Sequence, residues 1–195
     1  LSPCGDLEMS PANILSHAKK QKLDIIGITD HNSTRQGQLM RPYFEKEGIF
    51  VLTGAEVTTM EEAHCLAFFP DDKSLQEFQS YIDVHLPPIP NKPEKFGYQV
   101  IVDMEDNIIG QEDNLLISAL DQDIEAIEKK VRELNGIFIP AHIDKARFSI
   151  LSQLGFIPPS LNFDALEISP HTTLDDFISK HPELKKFPFI QSSDA

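Results

Sequence analysis

Short apolar runs and amphipathic stretches alternate along this chain, and the alternation predicts its elements. Residues 23–29, Leu-Asp-Ile-Ile-Gly-Ile-Thr, form a brief β-rich run of the kind that makes a buried parallel strand. Further strands are predicted at 49–52 with a continuation through 54–57, at 64–69 closed by Pro70, at 137–140, at 165–168 and at 189–190. Helical spacing fills the intervals. Ser10-Pro11 opens a helix running to Lys22, with Ser10 placed to cap and Pro11 at the first helical position. Other helices are predicted at 36–47, ending near Gly48, at 75–85, at 123–134, stopped by Asn135-Gly136, at 148–154, stopped by Gly155, and at 174–180.

Residues 87–120 break this rhythm. Pro87, Pro88, Pro90 and Pro93 make the first part a loop, and Val100–Val102, Glu105-Asp106-Asn107 and Ile108-Ile109 read as a hairpin. The segment is expected to be an insertion in a single domain spanning residues 1–195. Strand–helix alternation with short connections means an α/β protein with a parallel sheet, either open and doubly wound or closed into a barrel. In both, functional residues collect at the carboxyl ends of strands.

Composition changes this picture only in part. The 195 residues suit one domain, and 41% hydrophobic with 25% charged residues is ordinary for a soluble protein. The formal net charge of −14 is more informative. It opposes nucleic-acid backbones and anionic membranes, so neither is expected as a stable partner. A small phosphorylated substrate would be repelled as well, unless bound cations reverse the field locally. Cys4 and Cys65 allow one disulfide or two reduced thiols. No apolar stretch of about 18 residues and no signal peptide is visible, which predicts a cytoplasmic location. The chain starts at Leu1 and stops at Ala195 just past a strand, so it is expected to be a piece of a longer protein.

The strand-end rule gathers a constellation. Thr29-Asp30-His31 ends one strand, Glu56 the next, His142 another, and Asp194 follows the last; His64 opens its strand and stands out of line. Imidazole nitrogens and carboxylate oxygens are ligands for zinc, manganese or iron, and a carboxylate can bridge two cations. Such sites activate water and neutralise charge on a phosphoryl oxygen. The chain has neither a Gly-x-Ser-x-Gly elbow nor a P-loop.

Five ordered segments carry a resemblance. They are Ile25 through Asn32 (Ile-Ile-Gly-Ile-Thr-Asp-His-Asn), Gly54-Ala55-Glu56-Val57-Thr58, His64-Cys65-Leu66, Pro140-Ala141-His142, and Ser192-Ser193-Asp194-Ala195. In these the chain resembles the PHP (polymerase and histidinol phosphatase) superfamily. The resemblance implies a distorted (β/α)7-type barrel whose first strand is missing from this chain. It implies a metal-dependent phosphoesterase that hydrolyses a small phosphorylated metabolite or nucleotide by attack of a metal-bound hydroxide. Glu56 would bridge two metals, His64 and His142 would complete one set, Asp194 would bind the other metal, and His31 a third. Asp30 would orient or support the site, and with Glu56 it is a candidate for a catalytic part. Two or three divalent ions (zinc, manganese, iron or magnesium) are expected in the full-length protein. The family's opening His-x-His and a His two residues after the motif Asp fall outside this sequence, so this chain is expected to bind fewer metals and to be weakly active or inactive. The alternatives are a catalytically impaired structural or regulatory module, and a metal-dependent amidohydrolase.

Other residues are weighed by position. Lys145 and Arg147 follow His142, and Arg35 follows the His31 loop; each could hold a substrate phosphate by charge-assisted hydrogen bonds. His171 reads as a loop residue, and His17, His85 and His181 as surface residues. Cys65 alternates with His64, so its side chain is expected to point the other way as a small buried residue. A ligand role for Cys4 is the lesser expectation.

Overall fold

A computed structural model describes residues 9–194 of the chain. Cys4, the opening segment and Ala195 of the last motif lie outside the described residues. The elements run α1 (Pro11–Lys20), β1 (Ile25–Ile28), α2 (Arg35–Lys46), β2 (Phe50–Thr58), β3 (His64–Phe69), α3 (Asp72–His85), α4 (Pro93–Phe96), β4 (Val100–Val102), β5 (Ile108–Gln111), α5 (Ile124–Glu133), β6 (Ile137–Pro140), α6 (Ile150–Leu154), β7 (Leu166–Ile168), α7 (Leu174–Lys180) and β8 (Phe189–Gln191). A 3₁₀ turn, Pro182–Lys186, links α7 to β8.

Local chemistry explains several boundaries. Asp71, Asp123, Ser149 and Thr173 cap α3, α5, α6 and α7 through side-chain oxygens that accept backbone N–H groups. Ser149 and Ser152 form a reciprocal capping box, so α6 starts two residues later than its periodicity suggests. Ser10 precedes α1 as expected, but its hydroxyl makes no capping bond.

The sheet corrects the expectation of a parallel barrel. Four strands lie in the order β1-β2-β3-β6. β1 and β2 are parallel, whereas β3 runs antiparallel to both β2 and β6. A second sheet holds the parallel pair β7-β8, and the strands do not close into a barrel among the described residues. The antiparallel course of β3 follows from the link of residues 59–63 between β2 and β3. Five residues close a hairpin, whereas a parallel crossover needs a dozen or more. The second sheet follows the first through backbone bonds from Asp164 N–H to the Phe138 carbonyl, 2.9 Å, and from Ile143 N–H to the Glu167 carbonyl, 2.8 Å.

Side chains sort by strand parity. Ala55, Val57, Cys65, Ala67 and Phe69 face a core built with Leu75, Phe78, Ile127 and Val131 of α3 and α5. Leu66, Phe68, Ile139 and Ala141 form a smaller cluster on the opposite face, with Leu52 beside it. α1 and α2 cover β1 through Ala18, Met40 and Phe44. Cys65 is a free thiol, fully buried on the helix-facing side, as alternation requires. Within 87–120 the hairpin forms as β4–β5.

Candidate metal centre

The antiparallel turn places His64. β6 and β2 run alike, so their carboxyl ends meet at one end of the sheet. β3 runs against them, so its first residue lies at that same end. His64 is therefore in line with Glu56 and His142, although it opens its strand. Glu56 and His64 also share the strand parity of Leu52 and Leu66, the side of the smaller cluster. His31 is joined to Glu56 by a bridge, with Asn32 N–H donating to the Glu56 carbonyl at 2.9 Å and Glu56 N–H to the Asp30 carbonyl at 3.1 Å.

The side chains meet closely. His64 Nδ1 lies 2.7 Å and His142 Nε2 3.1 Å from Glu56 Oε1, and the two nitrogens are 3.3 Å apart. His31 Nδ1 lies 3.8 Å from the other oxygen, Glu56 Oε2. Donor atoms of two groupings, His31–Glu56–His64 and Glu56–His142–Asp194, fall within 4.8 Å of one another, and Glu56 is common to both. Asp194 also forms an ion pair with Lys145.

Two observations test whether a cation fits. His31 Nδ1 and His142 Nδ1 are buried without a hydrogen-bond partner. The triangle of Glu56 Oε1, His64 Nδ1 and His142 Nε2 is also poorly served by protons. If both nitrogens donate to the oxygen, their 3.3 Å contact sets two donors against each other. Donors around a tetrahedral zinc at about 2.0–2.1 Å stand about 3.3 Å from each other, close to two of the three edges seen. The donor set fits a divalent cation.

The electrostatics agree. Burial alone would raise the Glu56 carboxyl, but the bonds with His142 and His64 and the charges of His31 and His64 outweigh it and hold the group well below the usual carboxylate range. Burial also acts first on His142, yet its contact with Glu56 prevails and raises the imidazole. At His31 burial wins and lowers it. The centre thus offers an ionised carboxylate in a confined setting.

Several residues that support the centre had no assigned role. Glu167, 3% exposed, accepts the His142 N–H at 3.0 Å and the Ser192 hydroxyl, and burial raises its carboxyl. A lone carboxylate inside the apolar run Ala165-Leu166-Glu167-Ile168 was the signal for it. His142 itself takes φ +29°, a conformation that β-strands do not continue, and the Glu167 contact holds it there. Asn32, fully buried at φ +44°, donates to the Leu116 and Ser118 carbonyls at 2.7 and 2.9 Å and accepts from Thr58 N–H at 3.3 Å. It ties the His31 loop to the 87–120 segment. Phe148 stacks on His64 with centroids 5.0 Å apart, and its carbonyl accepts the His64 N–H at 2.8 Å.

The remaining candidates lie outside the cluster. Asp30 borders a small cleft with Ser33, Gln36 and Glu112, and its backbone holds Glu56. Arg35, expected to take a substrate phosphate, instead faces Glu112 at 2.8 Å and Asp83 at 2.7 Å. Its charge docks the 87–120 segment onto α2 and α3. Lys145 reaches Asp194, and Arg147 is exposed. His171 and His17 are exposed, His85 pairs with Asp121, and His181 lies near Glu183. No helix among the described residues is long and apolar enough to cross a membrane.

Fold and cluster together define a class: an α/β chain with His and carboxylate donors gathered at one end of its sheet. No family model matches the chain. Among solved structures it is similar to the lesion-specific endonuclease Q from Pyrococcus furiosus, with a TM-score of 0.65 at 20% identity over 100% of this chain and 45% of that one. A chain from Bifidobacterium adolescentis, assigned as a metal-dependent phosphoesterase, gives 0.62 at 16% identity over 95% of this chain and 82% of that one. At these identities the likeness is one of fold. An uncharacterized protein of Methanocaldococcus jannaschii is 39% identical over 51 residues, 26% of this chain and 30% of that protein. The chain thus spans less than half the length of the endonuclease, and its match to the Methanocaldococcus protein covers under a third of that relative.

The comparison corrects one expectation. A second endonuclease Q structure, with a TM-score of 0.63 at 19% identity over 98% of this chain and 45% of that one, is a complex with a 27-mer duplex substrate with an abasic lesion at the active site. A protein of this fold therefore does engage nucleic acid, and the exclusion of that partner class from net charge does not stand. Net charge is a sum over the surface, whereas binding responds to the local field, which cations can invert.

Proposed function

We propose that this chain carries the metal-dependent active site of a hydrolase acting on phosphate esters. The observation that carries the reading is Glu56, whose two oxygens face separate imidazole groups and which is common to two candidate cation positions. Cations held there would activate water and neutralise charge on the phosphoryl oxygens.

The chain's own residues hold this arrangement. Glu56 stays ionised and presents one oxygen to His64 and His142 and the other toward His31. Glu167 fixes the backbone at His142, and Asp30 fixes it at Glu56. Phe148 covers one face of His64 and limits water at that ligand. Asp30 acts by positioning, since its backbone carbonyl receives the Glu56 N–H. Lys145 stands near enough to attract an anionic group beside Asp194.

The test is a substrate panel with metal content measured in the same sample. The panel holds p-nitrophenyl phosphate, bis-p-nitrophenyl phosphate, an abasic-site DNA duplex and a p-nitroanilide amide. Manganese or zinc should support release from at least one phosphate ester and none from the amide, and Glu56→Gln should abolish both turnover and metal retention. Amide cleavage without phosphate-ester cleavage, or bound metal that survives Glu56→Gln, refutes the reading.

A further inference from the structure

Beyond the metal cluster, the loop after β6 opens on its other side into a cavity of about 260 Å³. Lys145, Lys180 and His181 border it, together with Asp144, Ser152 and Thr172. Buried Ile143 and Phe177 give it an apolar floor. Three basic side chains thus gather around one hollow on a chain of net charge −14.

The polar neighbours sort by availability. Asp144 is the single carboxylate in the lining, and it is already engaged: the Ser169 N–H donates to one oxygen at 2.7 Å and the Ser169 hydroxyl to the other at 2.6 Å. The Ser152 hydroxyl is used in the α6 capping box. Lys180 has no ion-pair partner among the described residues, is exposed, and borders the hollow with its charge uncommitted. His181 stacks on Phe177 and has Glu183 only at 3.6 Å. Lys145 is shared, because it borders the cavity while its ammonium ends on Asp194, a candidate ligand.

We propose that this cavity is a binding site for a small oxyanion of the phosphate class, and that Lys145 couples it to the cation position at Asp194. The volume has room for a compact anion together with several waters at about 30 Å³ each. An anion held by Lys180 and His181 draws the Lys145 ammonium toward the cavity and away from Asp194. The freed Asp194 carboxylate is then open to a cation. Coupling of this kind is reciprocal, so anion and cation each strengthen the other's binding by the same factor. The coupling rests on the metal-centre reading above, whereas the anion site stands on the cavity alone.

The experiment uses the full chain stripped with EDTA. Inorganic phosphate is titrated by calorimetry, and free Mn²⁺ is then counted by electron paramagnetic resonance with and without phosphate. Phosphate should bind the metal-free chain, and Lys180→Gln should weaken it at least about tenfold with thermal stability unchanged. Phosphate should raise Mn²⁺ affinity severalfold in the parent chain and leave it unchanged in Lys180→Gln and in Lys145→Met. Equal phosphate binding by parent and Lys180→Gln overturns the site. Mn²⁺ affinity indifferent to phosphate in the parent chain overturns the coupling. A chain that binds phosphate without metal, yet retains its bound metal in Glu56→Gln, refutes the proposed function and leaves the anion site standing.

Discussion

Asn32→Asp is the sharpest test of how the His31 loop is held. The substitution keeps the side-chain shape and a residue type that tolerates φ +44°, so it isolates hydrogen bonding from packing and strain. Asn32 Nδ2 donates to the Leu116 carbonyl at 2.7 Å and the Ser118 carbonyl at 2.9 Å, with no solvent exposure. A carboxyl in its place sets an oxygen against both carbonyls. Each buried group left unpaired costs about 1–3 kcal/mol, so two lost bonds predict a destabilisation of about 2–6 kcal/mol at pH 7. Burial among acceptors raises the folded-state value of the variant carboxyl above its unfolded value of about 3.9. The sign follows: folding binds the extra proton at low pH, so the variant is least impaired below about pH 4 and loses stability as pH rises past that value. Urea unfolding followed by circular dichroism at pH 4 and pH 7, parent against variant, measures both quantities. A deficit under about 1 kcal/mol at pH 7, or one that grows on acidification, would falsify the role given to Asn32.

Other outcomes follow from the same geometry. A Cβ at Gly54 would sit 1.9 Å from the Ala67 carbonyl oxygen, a backbone atom with no freedom to move aside, so Gly54→Ala should cost more than the usual 1–3 kcal/mol of overpacking, about 3 kcal/mol or more, in denaturant melts. Glu167→Ala should weaken Mn²⁺ or Zn²⁺ binding about 10–100-fold through the loosened His142, with Glu167→Gln restoring most of it because an amide oxygen still accepts the His142 N–H; equal affinities across the three chains would argue against that support. Cys65 is fully buried and its thiol is pushed well above its ordinary value, so peptide mapping after treatment with a thiol reagent should find it unlabelled until urea unfolds the chain.

Much of the site was legible because its chemistry sits at strand ends, and strand ends are marked by local pattern. The runs ending at His31, Glu56 and His142 were each visible as apolar stretches bounded by polar residues. His64 looked misplaced because β3 was taken as parallel. The five residues between Thr58 and His64 were enough to predict a hairpin, and counting them would have brought His64 into line. Arg35 was credited with a substrate contact on type and position, and its carboxylate partner Glu112 lies 77 residues away in sequence.

The sequence by itself determined the kinds of element, the hairpin in the 87–120 segment and the chemical types able to hold a cation. These depend on contacts within a few residues, so periodicity and turn chemistry carry them. The tertiary structure alone decided how the strands beyond the β2–β3 hairpin pair and in which direction, that the sheet stays open among the described residues, and that the Glu56 oxygen facing His64 also faces His142, 86 residues further along the chain. It also decided that Asn32 and Glu167 hold the site through bonds spanning 84 and 25 residues. Such pairings depend on where distant segments come to rest, and no local pattern of hydrophobic and polar positions encodes a partner that far away.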